Sequence, residues 1–180
     1  MSNSILPTSG IKSAEECIDL LEAQLKSFIQ DNNIQNPLFV GIRTGGAWVA
    51  EQLHQRLNSE HPLSNHNLGA LDISFYRDDF SQRGLNPQVK GSELPDSIEG
   101  ENIILIDDVL MTGRTIRAAM NELFDYGRPA SIHLAVLVDV GRRELPIQAD
   151  IVGTKIELQD SQLVKIEGPT PLTLSIVDKA

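Results

Sequence analysis

The segment Ile103-Ile104-Leu105-Ile106 constrains the fold more than any other. Four consecutive apolar residues leave neither face of an extended strand suited to water. A strand of that kind lies in the middle of a parallel sheet with helices on both sides. The flanking sequence keeps the pattern. Leu38-Phe39-Val40-Gly41-Ile42 is a second short apolar run and Ile132 to Val138 a third. After the Leu38 run, Ala47, Ala50, Leu53 and Leu57 follow at helical spacing; after the Ile103 run, Ile116, Met120, Leu123 and Phe124 do so before Gly127. Near the start, Ser13-Ala14-Glu15-Glu16 fits a capping box, Ile18, Leu21, Leu25 and Phe28 form an apolar stripe, and Asn32-Asn33 reads as a stop. Leu71, Ile73 and Phe75 alternate with Asp72, Ser74 and Tyr76, which predicts a further parallel strand. From Ile147 onward only short alternating pieces occur, and their pairing is not legible. The expectation is an α/β fold: a mostly parallel sheet flanked by helices, with right-handed crossovers.

Composition narrows the class. At 180 residues the chain is sized for one domain, 1–180, burying roughly 70% of its unfolded surface. It is 41% hydrophobic and 22% charged, near the globular average. Met1 to Gly10 has no signal-peptide pattern, and no apolar stretch approaches the ~18 residues of a membrane span, so a cytoplasmic setting without a membrane partner is expected. Cys17 is the single cysteine, which excludes an internal disulfide and a cysteine zinc cluster. A metal would then be held by oxygen, favouring Mg²⁺. The net charge of −10 opposes general nucleic-acid coating but leaves room for a local basic patch.

The chemistry concentrates in Ile103 to Thr115. Asp107 and Asp108 stand at the carboxyl end of the buried strand, and Met111-Thr112-Gly113-Arg114-Thr115 leads into a helix. Helix-start N–H groups lack internal partners and the dipole end is positive, so this is an anion site suited to a monophosphate. Two adjacent carboxylates beside it suit the vicinal hydroxyls of a ribose, and they place negative charge near a sugar carbon that becomes cationic as its leaving group departs. Acids after an apolar strand also hold Mg²⁺ in nucleotide hydrolases, but no Gly-x-x-x-x-Gly-Lys-Ser/Thr loop occurs, nor any Gly-x-Gly-x-x-Gly fingerprint.

Other segments are read more openly from the residues alone. Thr44-Gly45-Gly46, after Arg43, is either a ligand loop at a strand's carboxyl end or a tight turn. Arg77 to Gly100 is polar and aperiodic, which predicts a flexible lid over about 77–100. Arg77 and Lys90 are its candidate cations, with solvated surface charge as the other reading, and Asp78 and Asp79 orient the lid or lie exposed. Trp48 is expected as a packing anchor, and His54, His61, His66 and His133 in packing or surface roles.

The Ile103 to Thr115 stretch resembles the signature of type I phosphoribosyltransferases for 5-phosphoribosyl 1-pyrophosphate (PRPP). Gly41 to Gly46, Leu71 to Asp79, and Gly127-Arg128-Pro129 through Pro146 resemble the pyrimidine operon attenuator/uracil phosphoribosyltransferase family, over roughly Leu38 to Gly153. The resemblance implies that fold, with a small hood and a lid loop. It implies a uracil phosphoribosyltransferase making UMP and pyrophosphate from uracil and PRPP, with Mg²⁺ held by PRPP rather than directly by the protein. Asp107, Asp108 and Arg77 would be catalytic, Asp107, Asp108 and Met111 to Thr115 would bind ribose and phosphate, and Arg43, Thr44 and Gly45 would form the pyrophosphate loop. Members of the family also bind leader RNA of pyrimidine genes, strengthened by UMP, and assemble as dimers or larger. The candidate RNA contacts are Arg114, Arg117, Arg128, Arg142 and Arg143. Val140 and Gln148 stand where the family pattern has basic residues. Other readings are a regulator with little catalysis, or transfer to hypoxanthine, guanine or orotate.

Overall fold

The computed structural model describes residues 12–60, 67–73 and 91–179, the side chain of Glu60 excepted. Ala14–Asp31 forms α1, opened by the expected reciprocal capping box between Ser13 and Glu16 and closed at Asn32. Leu38–Ile42 is β1, Gly45–Glu60 is α2 and Leu68–Leu71 is β2. Asn102–Leu110 is β3, Arg114–Asp125 is α3, Ser131–Asp139 is β4 and Ile151–Lys155 is β5. These strands form one parallel sheet in the order β2-β1-β3-β4-β5. Gln162–Glu167 (β6) and Thr173–Asp178 (β7) pair antiparallel as a separate hairpin.

The apolar run of β3 is used on both faces. Ile104 and Ile106 enter a core with Cys17, Ile18, Leu21 and Leu25 of α1 and Val49, Ala50 and Leu53 of α2. Ile103 and Leu105 enter the opposite core with Ile116, Ala118, Ala119 and Leu123 of α3. All four are fully buried, each worth roughly 1.5–3 kcal/mol of transfer free energy. This is why β3 occupies the centre. Cys17 is core filler on the α1 side, and burial pushes its thiol pKa up.

Three features differ from the expectation. The strand does not stop at Ile106. It continues through Asp107 to Leu110, held by β4 in the register Val109↔Val138 and Leu110↔Asp139. The strand expected from Leu71 onward lies earlier, with Phe39↔Leu68 to Ile42↔Leu71 pairing β1 to β2; Phe75 and Tyr76 lie outside the described residues. Of the expected lid, 77–90 also lies outside them, as do His61 and His66. Its last part, 91–100, is anchored: Glu93 forms an antiparallel bridge with Ala70, Ser92 Oγ accepts from the Asp72 amide at 3.0 Å, and Ile98 is fully buried.

The hairpin packs over the α1/α2 face through Val164, Ile166, Leu174 and Ile176. Its turn rests on Trp48, whose Cε3 would lie 2.9 Å from a Cβ at Gly168, and Gln52 Nε2 donates to the Pro169 carbonyl at 3.5 Å. Trp48 is therefore a packing anchor, as its position predicts. His54 is buried edge-on to Phe39, and His133 packs edge-on to Phe28. No helix among the described residues is long and apolar enough to cross a membrane.

Charge also ties α1 to α2. Arg56 reaches Glu15, Asp19 at 2.7 Å and Glu22 at 3.2 Å, while Lys26 reaches Glu22 at 2.7 Å. Burial alone would raise the Glu22 carboxyl, but hydrogen bonds from Lys26 and Arg56 outweigh it and hold it below the ordinary value of 4.5. A carboxyl whose folded pKa lies below its unfolded one adds stability above the unfolded value and loses it as pH falls through the folded one. Arg56→Met should therefore cost stability near neutral pH and progressively less once the pH drops below 4.5. Urea midpoints of both proteins at about pH 7 and about pH 3 measure this, and an equal difference at both would contradict it.

Candidate active site

The strand order reverses between β1 and β3, because the chain leaves β1 for β2 on one side and returns to β3 on the other. A crevice opens outside the carboxyl ends of such a pair. Here it receives the two loops singled out from sequence: Arg43 to Gly46 after β1, and Met111 to Gly113 after β3.

The first loop packs directly on the carboxyl end of β3. A Cβ on Gly45 would lie 2.0 Å from Asp108 Oδ2 and 2.6 Å from its Cγ. A Cβ on Gly46 would lie 2.5 Å from the Ile106 carbonyl oxygen and 2.9 Å from Asp107 Cα. Gly45 is thus required by the Asp108 side chain, and Gly46 by the β3 backbone at Ile106 and Asp107. The Arg43–Thr44 peptide is cis. Asp107 is buried, and its Oδ1 accepts from the Asp108 amide at 3.0 Å. Asp108 is half-buried, with Oδ1 accepting from the Val109 amide at 2.8 Å. Each carboxylate is oriented by the amide of the residue that follows it, and a carboxylate can accept several hydrogen bonds at once.

The second loop leads into α3 through a glycine N-cap. Gly113, the N-cap of α3, has φ 91°, a conformation glycine adopts freely, and it offers no side chain of its own to cap the helix. Thr112 Oγ1 accepts from the Arg114 amide at 3.2 Å. Behind the loop, the segment 141–147 acts as a brace. The Thr112 carbonyl accepts from the Glu144 and Leu145 amides at 3.0 and 3.1 Å, and a Cβ on Gly113 would stand 3.2 Å from Ile147 Cβ. Arg143 donates to the carbonyls of Met111 and Ile147, both at 2.8 Å, and pairs with Asp139 at 2.7 Å.

A cavity of about 180 Å³ lies against this loop. Asp107, Thr112, Gly113 and Thr115 form a polar wall, and Val109, Val140, Leu158, Leu163 and Val164 an apolar one. The hood supplies Leu163 and Val164, which no local sequence signal attached to the site.

The sequence-predicted residues sort clearly. Asp107, Met111, Thr112, Gly113 and Thr115 line one cavity, Gly45 of the loop after β1 packs against Asp108, and Thr44 of the same loop lines a second cavity beside Arg43, Trp48 and Glu51. Arg43 belongs to that loop but pairs with Glu93 at 2.5 Å. Arg77 and Lys90 lie outside the described residues, as do Asp78 and Asp79. Among the RNA candidates, Arg143 is half-buried and directed into the brace. Arg142 binds the Leu158 carbonyl and Asp160, Arg114 pairs with Glu144 at 2.8 Å, Arg117 is half-buried on α3, and Arg128 is exposed. The brace itself was not foreseen.

The model of the phosphoribosyl transferase domain matches residues 8–169. The chain belongs to the phosphoribosyltransferase family. It is 53% identical over 171 residues to the bifunctional protein PyrR of Pseudomonas fluorescens, covering 95% of this chain and 99% of that one. It is 52% identical over 169 residues to the bifunctional protein PyrR of Pseudomonas syringae pv. tomato, covering 94% and 96%. Within the phosphoribosyltransferases it is therefore a PyrR relative. A hypoxanthine phosphoribosyltransferase of Trypanosoma cruzi shares the fold at TM-score 0.67 with 19% identity, covering 94% of this chain and 96% of that one. One from Staphylococcus aureus matches at TM-score 0.59 and 26% identity, covering 81% and 76%. The sheet and hood are those of a type I phosphoribosyltransferase.

The glycine contacts give a direct test. In Gly46→Ala the obstacle is backbone, which cannot swing aside, so the loop after β1 and the end of β3 must separate. We expect about 1–3 kcal/mol lost from stability, typical of overpacking, together with weakened ligand binding. Thermal unfolding and PRPP titration read the two effects, and an unperturbed variant would contradict the close approach.

Proposed function

We propose that the chain transfers the phosphoribosyl group of PRPP to uracil, giving UMP and pyrophosphate. The observation that supports this is the acid pair at the end of β3, with Asp107 lining one cavity with the loop that leads into α3 and Asp108 packed against Gly45. In this reading Asp107 and Asp108 accept the two ribose hydroxyls. The amides of Met111 to Thr115, with the Thr112 and Thr115 hydroxyls, hold the 5-phosphate at the positive end of α3. Arg43, Thr44 and Gly45 hold the pyrophosphate, and the cations Arg77 and Lys90 neutralise it. As the sugar C–O bond to pyrophosphate breaks, positive charge develops at that carbon, and the fixed carboxylates stabilise it. The base nitrogen then forms the new C–N bond and gives up its proton. A planar base fits the apolar wall of Val109, Val140, Leu158, Leu163 and Val164, which also keeps water from the cation.

Mg²⁺ fits the donor set, since the acids and hydroxyls here are hard oxygen ligands. Bound with PRPP, it would neutralise charge developing on the pyrophosphate. Asp107 and Asp108 would hold it through the ribose oxygens they orient. The setting we infer is the cytoplasm, with the chain working as a dimer or larger assembly.

An assay of pyrophosphate release with each base separately tests the acceptor. Uracil should far exceed hypoxanthine, guanine and orotate, and preference for any of those would overturn the assignment. Asp107→Asn combined with Asp108→Asn should cut turnover at least about 10²-fold through lost ribose positioning and transition-state charge.

The PyrR relatives are named bifunctional, and this favours a second role: UMP-strengthened binding of pyrimidine leader RNA. Arg114, Arg117, Arg128, Arg142 and Arg143 remain its candidates. Arg114 and Arg128 are exposed, whereas Arg117, Arg142 and Arg143 are half-buried and the last two are directed to internal partners. Filter binding at two salt concentrations, with and without UMP, should show sequence-selective retention that UMP increases. Indifference to RNA sequence would count against it.

A further inference from the structure

The pyrophosphate loop carries an arginine whose charge already has a partner. The side chain of Arg43 is 19% exposed, and its Nη2 lies 2.5 Å from a carboxylate oxygen of Glu93, whose side chain is 74% exposed. The buried Nε of Arg43 has no hydrogen-bond partner among the described residues. Both backbones are fixed. The Arg43 amide donates to the Leu71 carbonyl at 2.9 Å, and Glu93 exchanges two backbone hydrogen bonds with Ala70, at 2.9 and 2.7 Å. The pair therefore spans the carboxyl ends of β1 and β2. A cavity of about 360 Å³ adjoins it, walled by Thr44, Trp48 and Glu51 as well as by the pair itself.

The two partners are unequal. A guanidinium largely removed from water is costly to leave unpaired. An exposed carboxylate returns to water at little cost, and a pair of this kind contributes little to stability. Arg43 thus needs an anion at all times, whereas Glu93 can let go.

We propose that Glu93 is a competing internal anion for Arg43: it holds the guanidinium while the loop is empty, yields it to pyrophosphate, and reclaims it as pyrophosphate leaves. The proposal rests on the pyrophosphate role given to Arg43, Thr44 and Gly45 above. Glu93 is a positioning residue with no contact to the reacting atoms. It sets how tightly pyrophosphate is held, through its competition for Arg43 and its residual charge nearby.

Calorimetric titration of the whole protein with pyrophosphate in the presence of magnesium tests this without needing the base. Glu93→Gln should bind pyrophosphate about twofold to fivefold more tightly at low salt, the range expected for losing a competing half-exposed ion pair. The gain should shrink as ionic strength rises. Glu93→Asp should stay near the wild type. Glu51→Gln removes an equal charge from the same cavity wall without touching Arg43, and should change binding distinctly less. In an Arg43→Gln background the Glu93→Gln gain should disappear. Equal or weaker binding by Glu93→Gln, or a gain that survives Arg43→Gln, would overturn the proposal while leaving the transferase reading intact. Failure of the wild type to take up pyrophosphate would overturn both.

Discussion

At the carboxyl ends of β1 and β3 a loop backbone lies directly on two carboxylates, with no side chain between. That contact depends on Gly45 and Gly46, whose missing Cβ atoms would otherwise strike Asp108 and the backbone at Ile106 and Asp107. It also depends on β3 being buried on both faces, since a strand clamped between two cores cannot shift to relieve a clash. The site's geometry thus follows from the sheet's interior. The apolar run fixes where Asp107 and Asp108 stand, and the Asp108 side chain and the β3 backbone fix glycine at 45 and 46 of the neighbouring loop.

The phosphate loop is held by a different device. Its Thr112 carbonyl, the space behind Gly113 and the carbonyl of Met111 are all engaged by the segment 141–147. Arg143 is central to that engagement and is itself oriented by Asp139 at the end of β4. A segment that the family resemblance marks for RNA is therefore also the back wall of the proposed phosphate site. Occupancy of the loop and the conformation of that surface share the same hydrogen bonds, a physical route by which a bound nucleotide phosphate could bias an exterior surface.

Much of this was legible in the sequence because it is local. The capping box at Ser13 and Glu16, the doubly buried Ile103 to Ile106 and the helix beginning beside Gly113 each follow from neighbouring residues. The misses have a common cause. The extension of β3 through Asp107 to Leu110 is imposed by pairing with β4, which no local apolar pattern announces. Gly69 and Ala70 carry little strand propensity, so β2 was placed too late. The hairpin of β6 and β7, the Arg143 brace and the Arg43–Glu93 pair all join residues distant in sequence, where spacing carries no signal. The glycine pair was legible only as a loop; that it is a close-approach surface required knowing what it packs against.

The central claim is that the acids of β3 and the start of α3 together grip a phosphorylated ribose. Calorimetric titration with PRPP in the presence of magnesium measures that grip most directly. Saturable uptake of one PRPP per chain, abolished or greatly weakened when Asp107 and Asp108 are both asparagine, is the predicted result. No uptake by the wild type, or uptake indifferent to the loss of both acids, would contradict it.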